Sequence, residues 1–445
     1  MFLRRVALTN IRSIGHVEIH FGEGAEDGRA WTYVLGENGA GKSTVLKATG
    51  LALAGSEALF DLLDDSDAWI RLGTDEARIE VDFATAENEA RNIALDFVRG
   101  ENRREFIIRN SKNFEQLDSA IAHSTRNHFV AAYGVMRHAF SRKSGNSDVF
   151  KGSPRARAVS TLYGLSTSLV SLEDWAMDLD YRRGDSGMEA VTTALNTLLP
   201  DVTFAGIDKD RRALMFDTED GTLPLSALSD GYQAMAAWIG DLLYQITETF
   251  EDYRNPLDAR GLLLVDEIDM HLHPQWQRRL VSFIKDTLPN IQVVATTHSA
   301  LTVHQAGEGE LFLMNRNGSK PAYVTRYDGA PNKLMLHQLL QSPLFGLETL
   351  DSPQIQAARE EARRLQGIGS DSASASLADV QRLQEISALL EDTPSYSATR
   401  PDLAETNQIL AELTKKLGPK GTWNRDGAPV DDGKQRRGET GEEGQ

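Results

Sequence analysis

The residues with the clearest chemistry form a glycine-rich stretch near the start of the chain. Its pattern is G-x-x-x-x-G-K-S followed by threonine, and its members are Gly36, Glu37, Asn38, Gly39, Ala40, Gly41, Lys42, Ser43 and Thr44. In such a loop the backbone N–H groups surround phosphate oxygens, the lysine reaches the terminal phosphates and the serine hydroxyl ligates Mg²⁺. The stretch therefore predicts a nucleoside triphosphate site with Lys42 in a catalytic role. A plain glycine-rich turn is the alternative.

Two carboxylates follow a second apolar strand. The run GLLLV at 261–265 precedes Asp266 and Glu267. A carboxylate at the end of such a strand holds the coordination shell of Mg²⁺, so Asp266 and Ser43 are the predicted metal-site residues. Glu267 is placed to orient or deprotonate an attacking water, which makes it the predicted general base. An exposed acidic strand end without catalytic function is the alternative.

His298 and a stretch that opens a helix provide two further candidates. His298 follows the apolar strand at 291–296, where a neutral imidazole could hydrogen-bond the γ-phosphate or the attacking water. A buried structural histidine is the alternative. Ser229 and Gly231 lie in LSDGYQ, at the start of a long apolar helix. Because the N–H groups of a helix N-terminus attract anions, this stretch is either a second phosphate-binding element or an ordinary helix cap.

The composition of the chain limits the class of protein. Its 445 residues are enough for two or three domains, and no apolar run is long enough to span a bilayer. Cysteine is absent, which excludes disulfides and thiolate metal sites and agrees with a cytoplasmic location. The net charge of −18 argues against general coating of nucleic acid but is compatible with a local basic groove.

The elements that carry these residues alternate between strands and helices. Apolar runs predict strands, among them 31–35, 105–109 and 129–137, and helical spacing predicts helices such as 44–54 and 276–287. This order indicates an α/β nucleotide-binding core with a mixed sheet. The predicted domains are a first core half (1–140), an inserted helical lobe (141–222), a second core half (223–345), a helical C-terminal region (346–417) and a disordered tail (418–445).

Five motifs in this order make residues 1–345 similar to the RecF/SMC branch of the ABC-type ATPases. They are Asn10-Ile11-Arg12-Ser13, GENGAGKST, LSDGYQ, LLLVDEID and TTHS. Within that branch, the stretches 130–137, 266–277 and 289–299 resemble the stand-alone ATPases of bacterial antiphage systems, such as the Septu ATPase subunit and the ATPases beside some retrons. The fold implied is a P-loop NTPase of the ABC-type head with a C-terminal helical extension.

The resemblance also implies how the motifs cooperate. ABC-type heads bind ATP and Mg²⁺ in a sandwich dimer, so Ser229 and Gly231 would act in trans on ATP held by another copy, in a homodimer or a higher homo-oligomer. Asp269 would lie where the dimer axis passes. The glutamine that such heads present to Mg²⁺ is missing after Tyr133, and Arg137 could serve the nucleotide or the fold instead.

Two other sets of residues suggest ligands. RecF-like heads hold DNA, and the candidates for a basic groove are Lys143, Lys151, Arg155, Arg157, Arg182 and Arg183. His271 and His273 suggest a metal, but a third ligand at suitable spacing is not evident and the family uses this segment structurally.

Three functions fit these observations. The first is an ATP-binding and ATP-hydrolysing subunit of an antiphage complex that regulates a separately encoded nuclease of the HNH or toprim type, because the 445 residues contain neither nuclease pattern. The second is a RecF-like DNA-repair ATPase that acts on DNA without such a partner. The third is a slow nucleotide-gated scaffold that works by ATP-dependent assembly.

Overall fold

The computed structural model divides the chain into two units, Met1–Leu350 and Asp351–Gln445. It describes residues 1–22, 30–63, 65–85, 89–123, 129–136, 138–139, 152–165, 168–199, 201–250, 256–270 and 272–370, together with 382, 385–386 and 389–390. Beyond residue 370, the predicted helical C-terminal region therefore lies almost entirely outside the described residues, and so does the predicted tail. The predicted domain boundaries stay a prediction.

The strands of the first unit form four sheets. In chain order they are β1 (Phe2–Thr9), β2 (His16–His20), β3 (Trp31–Gly36), β4 (Glu76–Ala84), β5 (Ala90–Val98), β6 (Val130–Tyr133), β7 (His138–Ala139), β8 (Ser168–Leu169), β9 (Thr203–Asp208), β10 (Ala213–Thr218), β11 (Gly221–Pro224), β12 (Gly261–Val265), β13 (Ile291–Thr297), β14 (Leu311–Asn315) and β15 (Tyr323–Arg326). The central sheet has the order β15-β14-β3-β13-β12-β6. All its neighbouring strands are parallel except β14 and β15, so the predicted mixed sheet is confirmed.

Helices cover both faces of this sheet. The helices of the first unit are α1 (Lys42–Leu53), α2 (Ser56–Leu62), α3 (Arg103–His123), α4 (Pro154–Tyr163), α5 (Leu172–Arg183), α6 (Asp185–Leu198), α7 (Asp230–Thr249), α8 (Pro274–Gln277), α9 (Leu280–Thr287), α10 (Ala300–Val303) and α11 (Leu336–Gln341). The second unit contains α12 (Pro353–Ser370). Leu262 and Leu264 of β12 pack with α1 and α4, whereas Leu263 and Val265 pack with α5, α6 and α7. Helices α1 and α7 therefore lie on opposite faces. Within the described residues, no helix has the length and apolar character needed to cross a bilayer.

The strand predicted at 105–109 is wrong, because these residues belong to α3. The Asn102 side chain accepts hydrogen bonds from the backbone N–H groups of Arg104 (3.0 Å) and Glu105 (3.1 Å), and the Glu105 carboxylate accepts one from the Asn102 N–H (3.0 Å). This reciprocal cap starts a helix. Phe106 is buried and Ile108 is 63% exposed, so the alternation within this short run does not describe one buried face.

The helix predicted at 276–287 is interrupted. It forms the short helix α8 and then α9, with the break at Arg278 and Arg279. The break lets Leu280 and Ile284 turn into the core on the α7 side of the sheet.

A buried glutamine joins the central sheet to the antiparallel sheet of order β2-β1-β4-β5. The Gln292 side chain on β13 accepts a hydrogen bond from the Leu3 N–H of β1 (2.6 Å) and donates one to the Leu3 carbonyl (3.0 Å). Gln292 is fully buried. Since buried backbone groups need partners, this amide fixes where the two sheets meet.

We expect Gln292→Leu to destabilise the protein. The substitution leaves the N–H and the carbonyl of Leu3 without this partner, and each such buried group costs about 1–3 kcal/mol. Unfolding in urea measures the loss. Gln116→Leu, on the exposed surface of α3, is the control. Equal stability of the two variants would show that Gln292 does not hold the sheets together.

Candidate nucleotide-binding site

The glycine-rich loop connects the carboxyl end of β3 to the first residue of α1. Gly39 and Gly41 have φ angles of 79° and 102°, a left-handed conformation that glycine adopts without strain. At Gly36 the constraint is packing, because a Cβ atom there would lie 2.2 Å from the Met314 carbonyl oxygen of the neighbouring strand β14. The loop geometry therefore requires glycine at these positions.

Lys42 lies inside the curve of this loop. Its Nζ donates hydrogen bonds to the carbonyl oxygens of Gly36 (2.8 Å) and Glu37 (3.1 Å), and the residue is 6% exposed. Burial lowers the pKa of Lys42, whereas the charges of Asp266 and Glu267 act to raise it. The ammonium group thus contacts the loop and is within electrostatic range of the two carboxylates that follow β12.

Thr296 organises those two carboxylates. Its hydroxyl donates a hydrogen bond to the Asp266 carboxylate (2.6 Å) and accepts one from the Glu267 N–H (2.8 Å). Thr296 is fully buried at the end of β13. Glu267 has a φ of 46°, unusual for a residue other than glycine, so this contact supports a strained backbone. Sequence reasoning gave Thr296 no role, because only its position next to β12 reveals one.

His298 follows β13 at the same edge of the sheet. Partial burial lowers the pKa of His298 below its ordinary value of 6.5, the Lys42 ammonium lowers it further, and Glu267, Asp269 and Asp266 oppose this effect. The residue as a whole is exposed. The lowered pKa favours the neutral imidazole at pH 7, and the lysine and the three carboxylates are close enough to influence it.

A cationic cavity of about 520 Å³ adjoins the loop. Ser13 lines it and also packs against Gly41, whose Cβ position is 3.3 Å from the Ser13 hydroxyl. The charged residues among its described lining are Arg12, Asp67, Arg71, Arg99, Arg316 and Lys320. A cavity with five cations and one carboxylate favours a strongly anionic ligand.

The residues present fit a magnesium nucleotide. Ser43 opens α1 with its side chain half-buried, and the Asp266 carboxylate is buried at the adjacent strand end. Hydroxyl and carboxylate oxygens are ligands that Mg²⁺ prefers, and Thr296 orients the carboxylate. Ser43 and Asp266 would hold Mg²⁺, and Gly36 to Thr44 would surround the phosphates.

Ser229 and Gly231 lie at the start of α7, where Ser229 is exposed and Gly231 is buried. Helix α7 packs on the face of the sheet opposite to α1. Gly231 packs against Trp276, since a Cβ atom there would be 2.8 Å from the indole Nε1. Asp269 is buried, and its carbonyl accepts a hydrogen bond from the Gln277 side chain (3.4 Å).

The remaining predicted ligands are only partly described. Arg137, Lys143, Lys151 and His271 lie outside the described residues. His273 accepts a hydrogen bond from the Gln275 N–H (3.4 Å) and so caps α8. Across the described ranges, no group of three or more His, Asp or Glu side chains is arranged to hold a metal.

The described basic residues do not form an unpaired row. Arg155 and Arg157 line a cavity of about 260 Å³ that also contains Glu248. Arg182 is ion-paired with Asp178 and with Glu248 (2.8 Å). The charge of Arg182 is therefore compensated within the chain, and a DNA groove at this place stays a prediction.

Gly134 occupies the position after β6 where a glutamine was expected from the resemblance. A Cβ atom at Gly134 would lie 2.3 Å from the Thr161 carbonyl oxygen of α4. The close approach of α4 explains why glycine is needed here. It offers no side chain to a metal ion.

Comparison with known families agrees with this site. The family described as "AAA domain, putative AbiEii toxin, Type IV TA system" matches residues 32–303, which include both the glycine-rich loop and His298. The Septu protein PtuA of Bacillus mycoides (strain KBAB4) is 26% identical over 348 residues, covering 78% of this chain and 45% of that protein. The "Retron Ec83 probable ATPase" of Escherichia coli is 30% identical over 161 residues, covering 36% of this chain and 30% of that protein.

These relatives are longer than the matched region. The chain spans less than half the length of both proteins. Among solved structures, the SMC head domain from Thermotoga maritima aligns with a TM-score of 0.41 at 14% identity, covering 74% of this chain and all of that chain. The resemblance to ABC-type ATPases is confirmed by the family match and the named relatives.

We expect Lys42→Met to raise the pKa of His298. The substitution removes a nearby cation and leaves the burial of the ring in place. Titration of the imidazole resonances by NMR measures the shift, with Lys320→Met as a control for charge loss elsewhere. An unchanged or lower pKa of His298 would contradict the proximity of Lys42 and His298.

The lowered pKa of His298 also makes stability depend on pH. In the wild type, the stability contributed by the neutral ring is complete above pH 6.5 and is lost as the pH falls below it.

Proposed function

The chain belongs to the AAA-domain family that matches residues 32–303, and on this premise we propose that it binds and hydrolyses ATP in a bacterial antiphage defence complex. One observation carries the proposal. Lys42, Asp266, Glu267 and His298 converge where the parallel strands β3, β12 and β13 end. A cation, two carboxylates and a neutral imidazole around a phosphate-binding loop are groups that can support phosphoryl transfer to water.

In this mechanism the protein mainly positions the reacting groups. The N–H groups of the glycine-rich loop and Lys42 hold the β- and γ-phosphates. Bound Mg²⁺ would neutralise charge on the phosphate oxygens. Glu267 would orient the attacking water and accept its proton, and its backbone is held by Thr296. His298 would hydrogen-bond the γ-phosphate in its neutral form.

A second copy would complete the site. We infer that Ser229 and Gly231 serve the nucleotide of another copy, and the packing of α1 and α7 on opposite faces of the sheet supports this. Their contribution in trans is the arrangement expected for an ABC-type sandwich. ATP binding would then join two copies, and hydrolysis would release them.

The antiphage role and the partner are inferred from the relatives. They include proteins named Septu protein PtuA and retron probable ATPases. We infer a separately encoded nuclease partner of the HNH or toprim type from the resemblance of 130–137, 266–277 and 289–299 to stand-alone antiphage ATPases. A RecF-like ATPase acting on DNA is the second candidate, favoured by the cationic cavity that Arg71, Arg99 and Lys320 line beside the loop.

We expect Glu267→Gln to reduce ATP hydrolysis about 100-fold or more, since a general base contributes 10²–10⁴ in rate. ATP binding should persist, so the variant should accumulate as an ATP-bound dimer. Phosphate release and light scattering after size exclusion measure these effects, with the exposed Glu308→Gln as the control. Hydrolysis at the wild-type rate would refute the assigned base.

The antiphage role predicts that a neighbouring open reading frame encodes an HNH or toprim nuclease. Expression of both proteins should protect bacteria in a plaque assay, and Lys42→Ala should abolish protection because the terminal phosphates lose their cation. A neighbouring repair gene, together with DNA-stimulated hydrolysis in the absence of any partner, would instead favour the RecF-like alternative.

A further inference from the structure

A cavity of about 710 Å³ lies beside the start of α7. Its described lining combines Ser229, Tyr232, Gln275, Trp276 and Arg278, with Asp201 and Arg279 also on its wall. The cavity thus contains the serine expected to act in trans, two aromatic rings and two arginines. It is separate from the cationic cavity beside the glycine-rich loop, which has a different set of lining residues.

The aromatic residues fix this cavity to α7. The rings of Tyr232 and Trp276 meet edge to face, with centroids 5.2 Å apart and an interplanar angle of 81°. Gly231 lies directly against the indole, which excludes a larger residue. Because α8 is anchored by Trp276, Arg278 is held two residues beyond that anchor, at the same opening as Ser229.

The two arginines differ in their partners. Arg279 is 3.6 Å from the Asp201 carboxylate, and both side chains are more than two-thirds exposed. Arg278 is also exposed, and within the described residues it forms no ion pair. The pairing with Asp201 compensates the charge of Arg279, so Arg278 is the cation that this cavity presents to an anion.

We propose that Arg278 is a catalytic residue that acts in trans on the triphosphate held by the glycine-rich loop of a second copy. The proposal rests on the ATP sandwich proposed above, since the same docking that brings Ser229 to that triphosphate brings Arg278 with it. During hydrolysis a water oxygen bonds to the γ-phosphorus and the bond to the β,γ-bridging oxygen breaks. The guanidinium stabilises the negative charge on the phosphoryl oxygens, while the water proton passes to Glu267.

The first test is the turnover of Arg278→Gln. We expect kcat to fall about 100-fold or more, with little change in the KM for ATP, because the lost contact matters most in the transition state. Arg278→Lys keeps the positive charge but loses the planar guanidinium group, so its kcat should lie between those of the wild type and Arg278→Gln. Arg279→Gln is the matched control and should retain wild-type turnover. Wild-type turnover in Arg278→Gln would overturn the proposal.

The second test separates action in trans from action in cis. Lys42→Ala and Arg278→Gln are each inactive, but their mixed dimer contains one site with an intact lysine and an intact arginine. Since half of randomly mixed symmetric dimers are mixed and each has one such site, we expect mixing to restore about a quarter of wild-type activity. A mixture of Lys42→Ala with Glu267→Gln should stay inactive, because both residues serve the same chain's nucleotide.

The outcomes distinguish this proposal from the function on which it rests. If mixing restores no activity although wild-type dimers hydrolyse ATP, Arg278 acts in its own chain or supports the fold, and the proposal is wrong. If wild-type protein hydrolyses ATP as a monomer, the sandwich itself is wrong and the assignment of Arg278 falls with it.

Discussion

The parallel pairing of β3, β13 and β12 is the constraint on which the candidate site depends. Thr297 pairs with Leu35, and Ala295 pairs with Val265, so the three strands end together. Each strand is followed at once by a residue or loop with a role in the site. Parallel strands place their carboxyl ends on one edge of a sheet, and ligands bind in the crevice outside that edge. The hydroxyl of Thr296 then joins the two acidic residues across neighbouring strands.

The parts of this site that could be predicted from the sequence are those set by local chemistry. The loop needs left-handed backbone conformations at fixed positions, and the glycines in the sequence mark those positions. The acidic pair after GLLLV is similarly local. Thr296 could not be assigned, because its role depends on which strand lies beside β12. A sequence pattern gives strands in order along the chain, not across the sheet.

The errors in secondary structure also have physical causes. The short apolar run at the start of α3 fits the spacing of a strand and that of a helix. The hydrogen bonds that cap the helix at Asn102 favour the helix. The interruption between α8 and α9 follows from two packing demands: Trp276 faces α7 at the surface, whereas Leu280 enters the core.

The contact between Gly231 and Trp276 has a consequence for how such sequences change over evolutionary time. Glycine at position 231 is required by an indole of the same chain, so glycine there is not independent evidence of nucleotide binding. Relatives with a smaller residue at the position of Trp276 gain room for a side chain at the position of Gly231. Substitutions at positions 231 and 276 should therefore occur together. The residue found at position 231 reflects packing against the neighbouring helix as much as any contact with a ligand.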